Sequence, residues 1–229
     1  MTKNIKMILF DLDGTLLNSM GDFATVAASV LKRYYGVDPE EAIRLYRETS
    51  GLPFCFQVEK LFPKHPDNAA AVEAFEEEKL ADYFDKDFFE DVLTVLPLLK
   101  QKGYQLGVSS NNAESVVLQR IQSIKNYFDI ILGYKDGFLK GKDHFDLVKK
   151  EFNLQTNELL FVGDSLNDAR TAQKNGLAFM ARMGTFPKED FDRLDFCFDK
   201  VGNFYEILTL LESETKKLET SDQRLATGE

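Results

Sequence analysis

The stretch Ile8-Leu9-Phe10-Asp11-Leu12-Asp13-Gly14-Thr15 decides the fold, because its apolar run stops on two carboxylates and a glycine turn. A short apolar run of this kind is typical of a buried β-strand. An unpaired ionised group taken out of water costs on the order of several kcal/mol, so we expect a cation or a reactive group beside Asp11 and Asp13. In an extended backbone both side chains point toward the space above the strand. The ordinary structural alternative is an Asx turn, for which Asp-Gly is common.

The composition predicts an ample core and an acidic surface. Of the 229 residues, 44% are hydrophobic, and 20 of the 229 are phenylalanine, which favours a folded globular chain over disorder. The 28 basic and 38 acidic residues give a net charge of −10. That charge disfavours binding to nucleic-acid backbones or anionic lipid. We therefore expect neither a nucleic-acid nor a membrane partner.

The cysteines and the lengths of the apolar runs indicate the cellular compartment of the protein. Cys55 and Cys197 are far apart and form neither a metal-binding spacing nor a disulfide framework, which fits a reducing compartment. No apolar run is as long as a membrane span, and no secretory apolar region precedes the first charged cluster. We expect a soluble cytoplasmic protein, either a monomer or a homodimer.

Apolar runs and helical periodicities alternate along the chain. With short connections between them, they predict an α/β fold, an open and mostly parallel (Rossmann-like) sheet with helices on both faces. Ligands of such a sheet bind beyond the carboxyl ends of its strands. The predicted strands are 5–10, 104–109, 129–132, 159–163 and 177–181 with a weaker one at 195–198, and the predicted helices are 88–102, 114–125, 144–152, 167–175 and 203–211.

Residues 17–88 break this alternation. They contain no convincing strand, only helical patterns over 23–35, 40–48 and 68–83, and the insertion is too long for a loop of a compact domain. We expect a helical cap subdomain over the site, although these helices could instead cover one face of the sheet. The resulting division is an α/β catalytic core of 1–16 and 89–211, a cap of 17–88, and a polar tail of 212–229 that we expect to be disordered.

Three further polar clusters follow predicted strands or precede predicted helices. Ser109-Ser110-Asn111-Asn112 offers hydroxyls and amides that suit phosphate oxygens, although such residues also cap helices. Lys140-Gly141-Lys142 offers lysines that could neutralise phosphate charge or lie in a solvated loop. Asp164 and Asp168 offer hard oxygen ligands suited to Mg²⁺, although acids are also favoured at helix starts. Each cluster has an ordinary explanation, but their convergence at one sheet edge favours a catalytic site.

These clusters resemble the motifs of the haloacid dehalogenase-like (HAD) superfamily, in its phosphatase and phosphotransferase branch. Asp11-Leu12-Asp13-Gly14-Thr15 matches the first motif at every defined position, and Ser109 matches the second. Asp164 and Asp168 match the fourth. The inserted helices are similar to the first-position cap of the phosphoglycolate phosphatase-like members. The resemblance covers about 1–17 and 88–211.

The third motif departs from the family pattern. Its common form is Lys-Pro, whereas this chain has Lys140-Gly141-Lys142 without a proline. The separation from Asp164 favours Lys140 as the active-site lysine, with Lys142 as a rival.

The resemblance implies a role for each matched residue. Asp11 would attack phosphorus to form an aspartyl-phosphate, and Asp13 would protonate the leaving alcohol. Ser109 would hold a phosphoryl oxygen. The implied Mg²⁺ ligands are Asp11, Asp13 through its backbone carbonyl, Asp164 and Asp168, and the remaining candidates for phosphate or substrate binding are Thr15, Ser110, Asn111 and Arg47.

The resemblance thus implies a magnesium-dependent phosphatase that hydrolyses a small phosphorylated metabolite, broadly like phosphoglycolate phosphatases. Asp13 favours phosphate esters, since the similar dehalogenases lack the second acid. Arg47 could pair with a substrate anion, or with Glu48 on an exposed helix face. A phosphomutase of the hexose-phosphate type and a non-catalytic binding protein remain alternatives. A dinucleotide-binding oxidoreductase is disfavoured, because no G-x-G-x-x-G opens the first helix.

Overall fold

The first apolar run forms the central strand of a parallel sheet in the computed structural model, which describes residues 4–213. This strand, β1 (Met7–Phe10), is fully buried and pairs on both sides with parallel strands. Within residues 4–213 the sheet has six strands in the order β3-β2-β1-β4-β5-β6, and each pair of neighbours is parallel. The other strands are β2 (Gln105–Ala113), β3 (Ile130–Tyr134), β4 (Leu159–Gly163), β5 (Ala178–Arg182) and β6 (Asp199–Val201).

Helices cover both faces of this sheet, as its alternating side chains require. Ile8 and Phe10 pack in one hydrophobic cluster, whereas Met7 and Leu9 pack in the other. The predicted α/β fold is therefore confirmed. The helices are α1 (Met20–Tyr35), α2 (Pro39–Thr49), α3 (Phe54–Leu61), α4 (Asn68–Ala81), α5 (Glu90–Gln101), α6 (Glu114–Arg120), α7 (Lys142–Glu151), α8 (Leu166–Lys174), α9 (Lys188–Asp192) and α10, which spans 204–213.

The insertion after β1 contains α1 to α4, and the two chain segments that enter and leave it are bonded to each other. An antiparallel bridge pairs Leu17 with Phe88, and the amide of Phe89 donates to the carbonyl of Leu16 at 3.0 Å. Side chains of all four helices share the hydrophobic cluster that contains Ile8 and Phe10. The exact division of the chain at residues 17 and 88 stays a prediction.

The main differences between the predicted and the observed elements concern β6, α3, α6 and α10. The sixth strand lies at Asp199–Val201, after the predicted 195–198, because Phe196 and Phe198 pack against the core without backbone pairing. Helix α3 was not predicted, since Pro53 and the following prolines obscured its short periodicity. Helix α6 ends at Arg120 rather than 125. Helix α10 continues past 211 to residue 213, and the rest of the predicted tail, 214–229, lies outside the described residues.

An ion pair that is mostly shielded from solvent joins the start of α5 to the end of β5. The Arg182 guanidinium donates to both carboxylate oxygens of Asp91, at 3.0 and 3.1 Å. It also lies over the rings of Phe89 and Phe204, 3.9 and 5.0 Å from their centroids. This contact fixes the start of α5, and with it the point where the chain leaves the inserted helices.

Among residues 4–213, no helix combines the length and the apolar character that crossing a bilayer requires.

Candidate active site

The carboxyl ends of β1, β2 and β4 meet at one edge of the sheet, and the predicted site residues follow them. Asp11 comes directly after β1, Ser110 lies in β2, and Asp164 comes directly after β4. Neighbouring parallel strands bring these positions together. They line a cavity of about 70 Å³, which α1 to α4 and the loops between them cover from above.

Asp11 is buried beside a lysine that it shares with a second carboxylate. The Nζ atom of Lys140 lies 3.0 Å from Oδ1 of Asp11 and 2.8 Å from Oδ1 of Asp168. Burial raises the pKa of Asp11 to about 7, although the Lys140 charge opposes that shift. Burial would lower the pKa of Lys140, but the two carboxylates raise it above its ordinary value. Lys140 is therefore a permanent cation beside Asp11.

Three buried carboxylates form a cluster that fits a divalent cation. Oxygen atoms of Asp11, Asp164 and Asp168 lie within 4.8 Å of one another. Burial, followed by repulsion from Asp11 and Asp168, raises the pKa of Asp164 well above its ordinary value. The hydroxyl of Thr185 donates to Asp164 and orients it. Because one lysine cannot balance three carboxylates, and because all the donors are hard oxygens, the cluster suits a cation such as Mg²⁺.

The two carboxylate oxygens of Asp168 have different partners, one at the start of α8 and one in the site. The Asp168 amide donates to Ser165 Oγ at 3.0 Å and the Ser165 amide donates to Asp168 Oδ2 at 3.3 Å, and these two bonds form a capping box at the start of α8. The same Oδ2 also accepts from the Ser165 hydroxyl at 2.6 Å. Its Oδ1 contacts Lys140. One oxygen of Asp168 therefore caps α8 while the other contacts Lys140, and its role as a metal ligand stays a prediction.

Asp13 lies in a network of donors from the core and the inserted helices. The Ser19 hydroxyl donates to its Oδ1 at 2.8 Å, and its Oδ2 accepts from Asn112 Nδ2 at 2.6 Å and from the Tyr83 hydroxyl at 3.3 Å. Burial raises the pKa of Asp13, and these donors moderate that shift. A carboxyl group with a raised pKa is better able to carry a proton near neutral pH, which suits a general acid.

Of the two serines at the end of β2, only Ser110 lines the cavity. Ser109 points the other way, and its hydroxyl lies 2.8 Å from Nδ1 of the buried His144. The two-residue period of a strand places these neighbours on opposite sides. Burial, assisted by the Lys140 charge, lowers the pKa of His144 to about 4, so this histidine is neutral. The structure thus places the predicted second-motif hydroxyl of Ser109 away from Asp11.

The remaining predicted residues lie at different distances from the cavity. The Lys142 side chain is 76% exposed and pairs with Asp146, so it does not contact the carboxylate cluster. Thr15 is fully buried and does not line the cavity. Arg47 is exposed and lines a neighbouring cavity of about 260 Å³ instead.

The loop between α2 and α3 contacts the edge of the sheet at which the carboxylate cluster lies. Asn111 and Asn167 each donate a side-chain hydrogen bond to the carbonyl of Gly51, at 2.8 and 2.9 Å. Gly51 has a φ of +84°, and a Cβ there would lie 2.4 Å from Ser165 Oγ. Ser50, Gly51, Leu52 and Pro53 all line the cavity. Asn111 therefore holds the insertion on the core in this arrangement.

The contacts that four polar residues make around Asp13 were not predicted from the sequence. Ser19, Tyr83 and Asn112 bind Asp13, and Lys79 donates to Asn112 at 3.0 Å. Asn112 belongs to the polar cluster 109–112, which was its signal in the sequence, although its contact with Asp13 was not predicted. The other three lie in the insertion, where no local pattern marks a residue that reaches back to the sheet. The catalytic and binding roles of all these residues stay predictions.

Comparison with known proteins assigns the chain to a family. The model of the haloacid dehalogenase-like hydrolases matches residues 8–182. The chain belongs to this family and is an enzyme of its phosphatase group, a phosphoric monoester hydrolase. Both the predicted family and the predicted enzyme class are confirmed.

Particular relatives extend this result along nearly the whole chain. The chain is 30% identical to the phosphoglycolate phosphatase of Nitrosospira multiformis over 92% of this chain and 97% of that protein. It is 25% identical to the pyrophosphatase PpaX of Bacillus cereus, over 90% and 97% respectively. A haloacid dehalogenase-like protein of Streptococcus pneumoniae shares the fold at 21% identity, with a TM-score of 0.75 over 90% of this chain and 98% of that one.

Proposed function

We propose that this protein is a magnesium-dependent phosphatase that hydrolyses a small phosphorylated metabolite through an aspartyl-phosphate intermediate. The observation that carries the proposal is the buried Asp11, held by Lys140 at 3.0 Å, beside a carboxylate cluster and a second acid at position 13. A nucleophile, a cation and a proton donor thus line one small cavity.

The reaction proceeds by in-line transfer to Asp11. Its carboxylate oxygen attacks phosphorus, the bond between phosphorus and the ester oxygen breaks, and Asp13 donates its proton to that oxygen. Water then attacks the aspartyl-phosphate and gives a proton to Asp13, and phosphate leaves with Asp11 restored. Lys140 orients Asp11 and offsets charge on the transferring group.

The carboxylate cluster would hold the metal. Asp11, Asp164 and Asp168, with the backbone carbonyl of Asp13, would bind Mg²⁺, whose charge would stabilise the phosphoryl oxygens.

Ser110 replaces Ser109 as the proposed hydroxyl for a phosphoryl oxygen, because it lines the cavity and Ser109 does not. The helices of 17–88 act as a cap, and its loop at Gly51 shields the site from bulk solvent while leaving room for the attacking water.

The proposed substrate is a phosphoglycolate-like compound. The small cavity supports a small metabolite, and the curated relatives include proteins named phosphoglycolate phosphatase and pyrophosphatase. The exposed cysteines, Cys55 and Cys197, fit the proposed cytoplasmic location.

The proposal is tested by measuring phosphate release from a panel of small phosphate esters, with Mg²⁺ and with a chelator. We expect turnover only with the metal, and a loss of at least about 10³-fold in Asp11→Asn, which removes the nucleophile. Asp146→Asn, a surface exchange of the same kind, is the matched control. Turnover that persists without metal or in Asp11→Asn would contradict the mechanism. An isomerised sugar phosphate in place of free phosphate would indicate a mutase.

A further inference from the structure

A buried lysine of the insertion reaches the cavity beside the proposed general acid. Lys79 lies in α4, and only 6% of its side chain is exposed. Its Nζ lies 5.8 and 5.5 Å from the ring centroids of Phe23 and Phe75, and it donates to Asn112 Oδ1 at 3.0 Å. A lysine is rarely buried without a strong partner, so this ammonium requires an explanation.

The partners of Lys79 leave its charge available to a ligand. In the part of the chain that the structure describes, Lys79 and Lys140 are the two lysines that line the cavity. Lys140 is held by two buried carboxylates, Asp11 and Asp168. Lys79 pairs instead with Glu76, one turn earlier on its own helix, whose side chain is 45% exposed. A solvated carboxylate is a weak partner that a bound anion can replace.

The position of Lys79 associates it with the leaving group. Asn112 joins Lys79 to Asp13, because its Oδ1 accepts from the lysine while its Nδ2 donates to Asp13 at 2.6 Å. Lys140 contacts the other acid, Asp11, which attacks phosphorus in the proposed mechanism. The atoms that Asp13 protonates belong to the leaving group, so the remainder of that group faces Lys79.

We propose that Lys79 binds an anionic group, a carboxylate or a phosphate, carried by the leaving group of the substrate. The inference rests on the proposed phosphatase function and makes it more specific, because it selects esters and anhydrides whose leaving group is itself an anion. The surroundings favour one compact anion, since the rings of Phe23 and Phe75 flank the ammonium. Charge-assisted contacts in such a setting are strong.

The test compares substrates that differ only in this charge. 2-Phosphoglycolate and 2-hydroxyethyl phosphate have leaving groups of similar size, one anionic and one neutral, and pyrophosphate supplies a phosphate in place of the carboxylate. In Lys79→Met, we expect KM for an anionic compound to rise at least about tenfold more than KM for the neutral ester. Lys79→Arg should restore part of the difference. Lys60→Met, an exposed lysine change on α3, should leave all KM values unchanged.

The two anionic compounds identify which group Lys79 prefers, and the thermal midpoint of each variant shows that it is folded. Equal effects on the anionic and neutral esters, or an effect on kcat alone, would overturn the proposal and make Lys79 a positioning residue for Asp13. If the wild type hydrolyses no ester, the phosphatase proposal fails separately. The role of Lys79 is then tested by calorimetry with 2-phosphoglycolate. The affinity of the double variant Asp11→Asn/Lys79→Met must be at least about tenfold weaker than that of Asp11→Asn alone.

Discussion

At the residue scale, Lys140 and Lys142 have the same chemistry and opposite surroundings. The ammonium of Lys140 contacts Asp11 and Asp168 in the interior, whereas that of Lys142 lies in solvent against Asp146. An exposed ion pair contributes little, but a buried charge that loses its partner is costly. The two lysines therefore form a natural pair of variants.

We expect Lys140→Met to lower kcat/KM by at least about 10²-fold, since it removes the fixed charge beside the nucleophile. Lys142→Met should stay within about twofold of the wild type. Phosphate release at saturating Mg²⁺ measures both. Loss of turnover in Lys142→Met with activity retained in Lys140→Met would reverse the assignment.

At the scale of elements, the loop between α2 and α3 connects the insertion to the sheet edge. Gly51 and Gly103 both have left-handed backbones, with φ of +84° and +87°. A Cβ at Gly51 would lie 2.4 Å from Ser165 Oγ, whereas a Cβ at Gly103 would meet no atom within 4 Å. The two glycines thus share a left-handed backbone conformation, and only Gly51 lies against another side chain.

We expect Gly103→Ala to lower the free energy of unfolding by about 1 kcal/mol, since it forces alanine into a left-handed conformation. Gly51→Ala should lower it by more, because its methyl group also meets Ser165 Oγ. Only Gly51→Ala should lower kcat/KM, by about tenfold or more, because its methyl group prevents the loop from seating on the core. Urea unfolding and phosphate-release kinetics test the two effects. Equal losses of activity in the two variants would mean that the seated loop has no part in turnover.

At the scale of the whole molecule, the neutral His144 links stability to pH. Its pKa is lowered to about 4 in the folded chain, from an ordinary value near 6.5. Between these values the unfolded chain binds the extra proton, so this group's contribution is present above about pH 6.5 and is lost as the pH falls toward 4. The full contribution is about 3 kcal/mol.

His144→Asn keeps a polar atom near Ser109 but cannot titrate. We expect the wild-type advantage in unfolding free energy over this variant to shrink by up to about 3 kcal/mol between pH 6.5 and 4. Denaturant unfolding across this range provides the measurement, with His65→Asn on the surface as the control. A constant difference would show that His144 has no altered protonation in the fold.

Local patterns were sufficient to locate β1 to β5 and the acids that follow β1 and β4, but they misplaced β6. The apolar run before Asp11 and the acid after β4 are each readable within a few residues, and parallel topology then brings them to one edge. The predicted orientation of Ser109 could not be obtained in this way, because it depends on the phase of β2. Lys79 and Tyr83 could not be found either, since only the packing of the insertion brings them to Asp13.

One carboxylate oxygen of Asp168 caps α8 and the other contacts Lys140, which affects how the sequence of a related protein could change. A descendant that lost catalysis would be free to change Asp11, whose carboxylate serves only the site. It would still need an acceptor at position 168 to cap α8, because one oxygen of that side chain holds Ser165. An acid at 168 therefore does not by itself distinguish an active enzyme from an inactive relative. The loss of Asp11 is the better indication that a relative no longer catalyses the reaction.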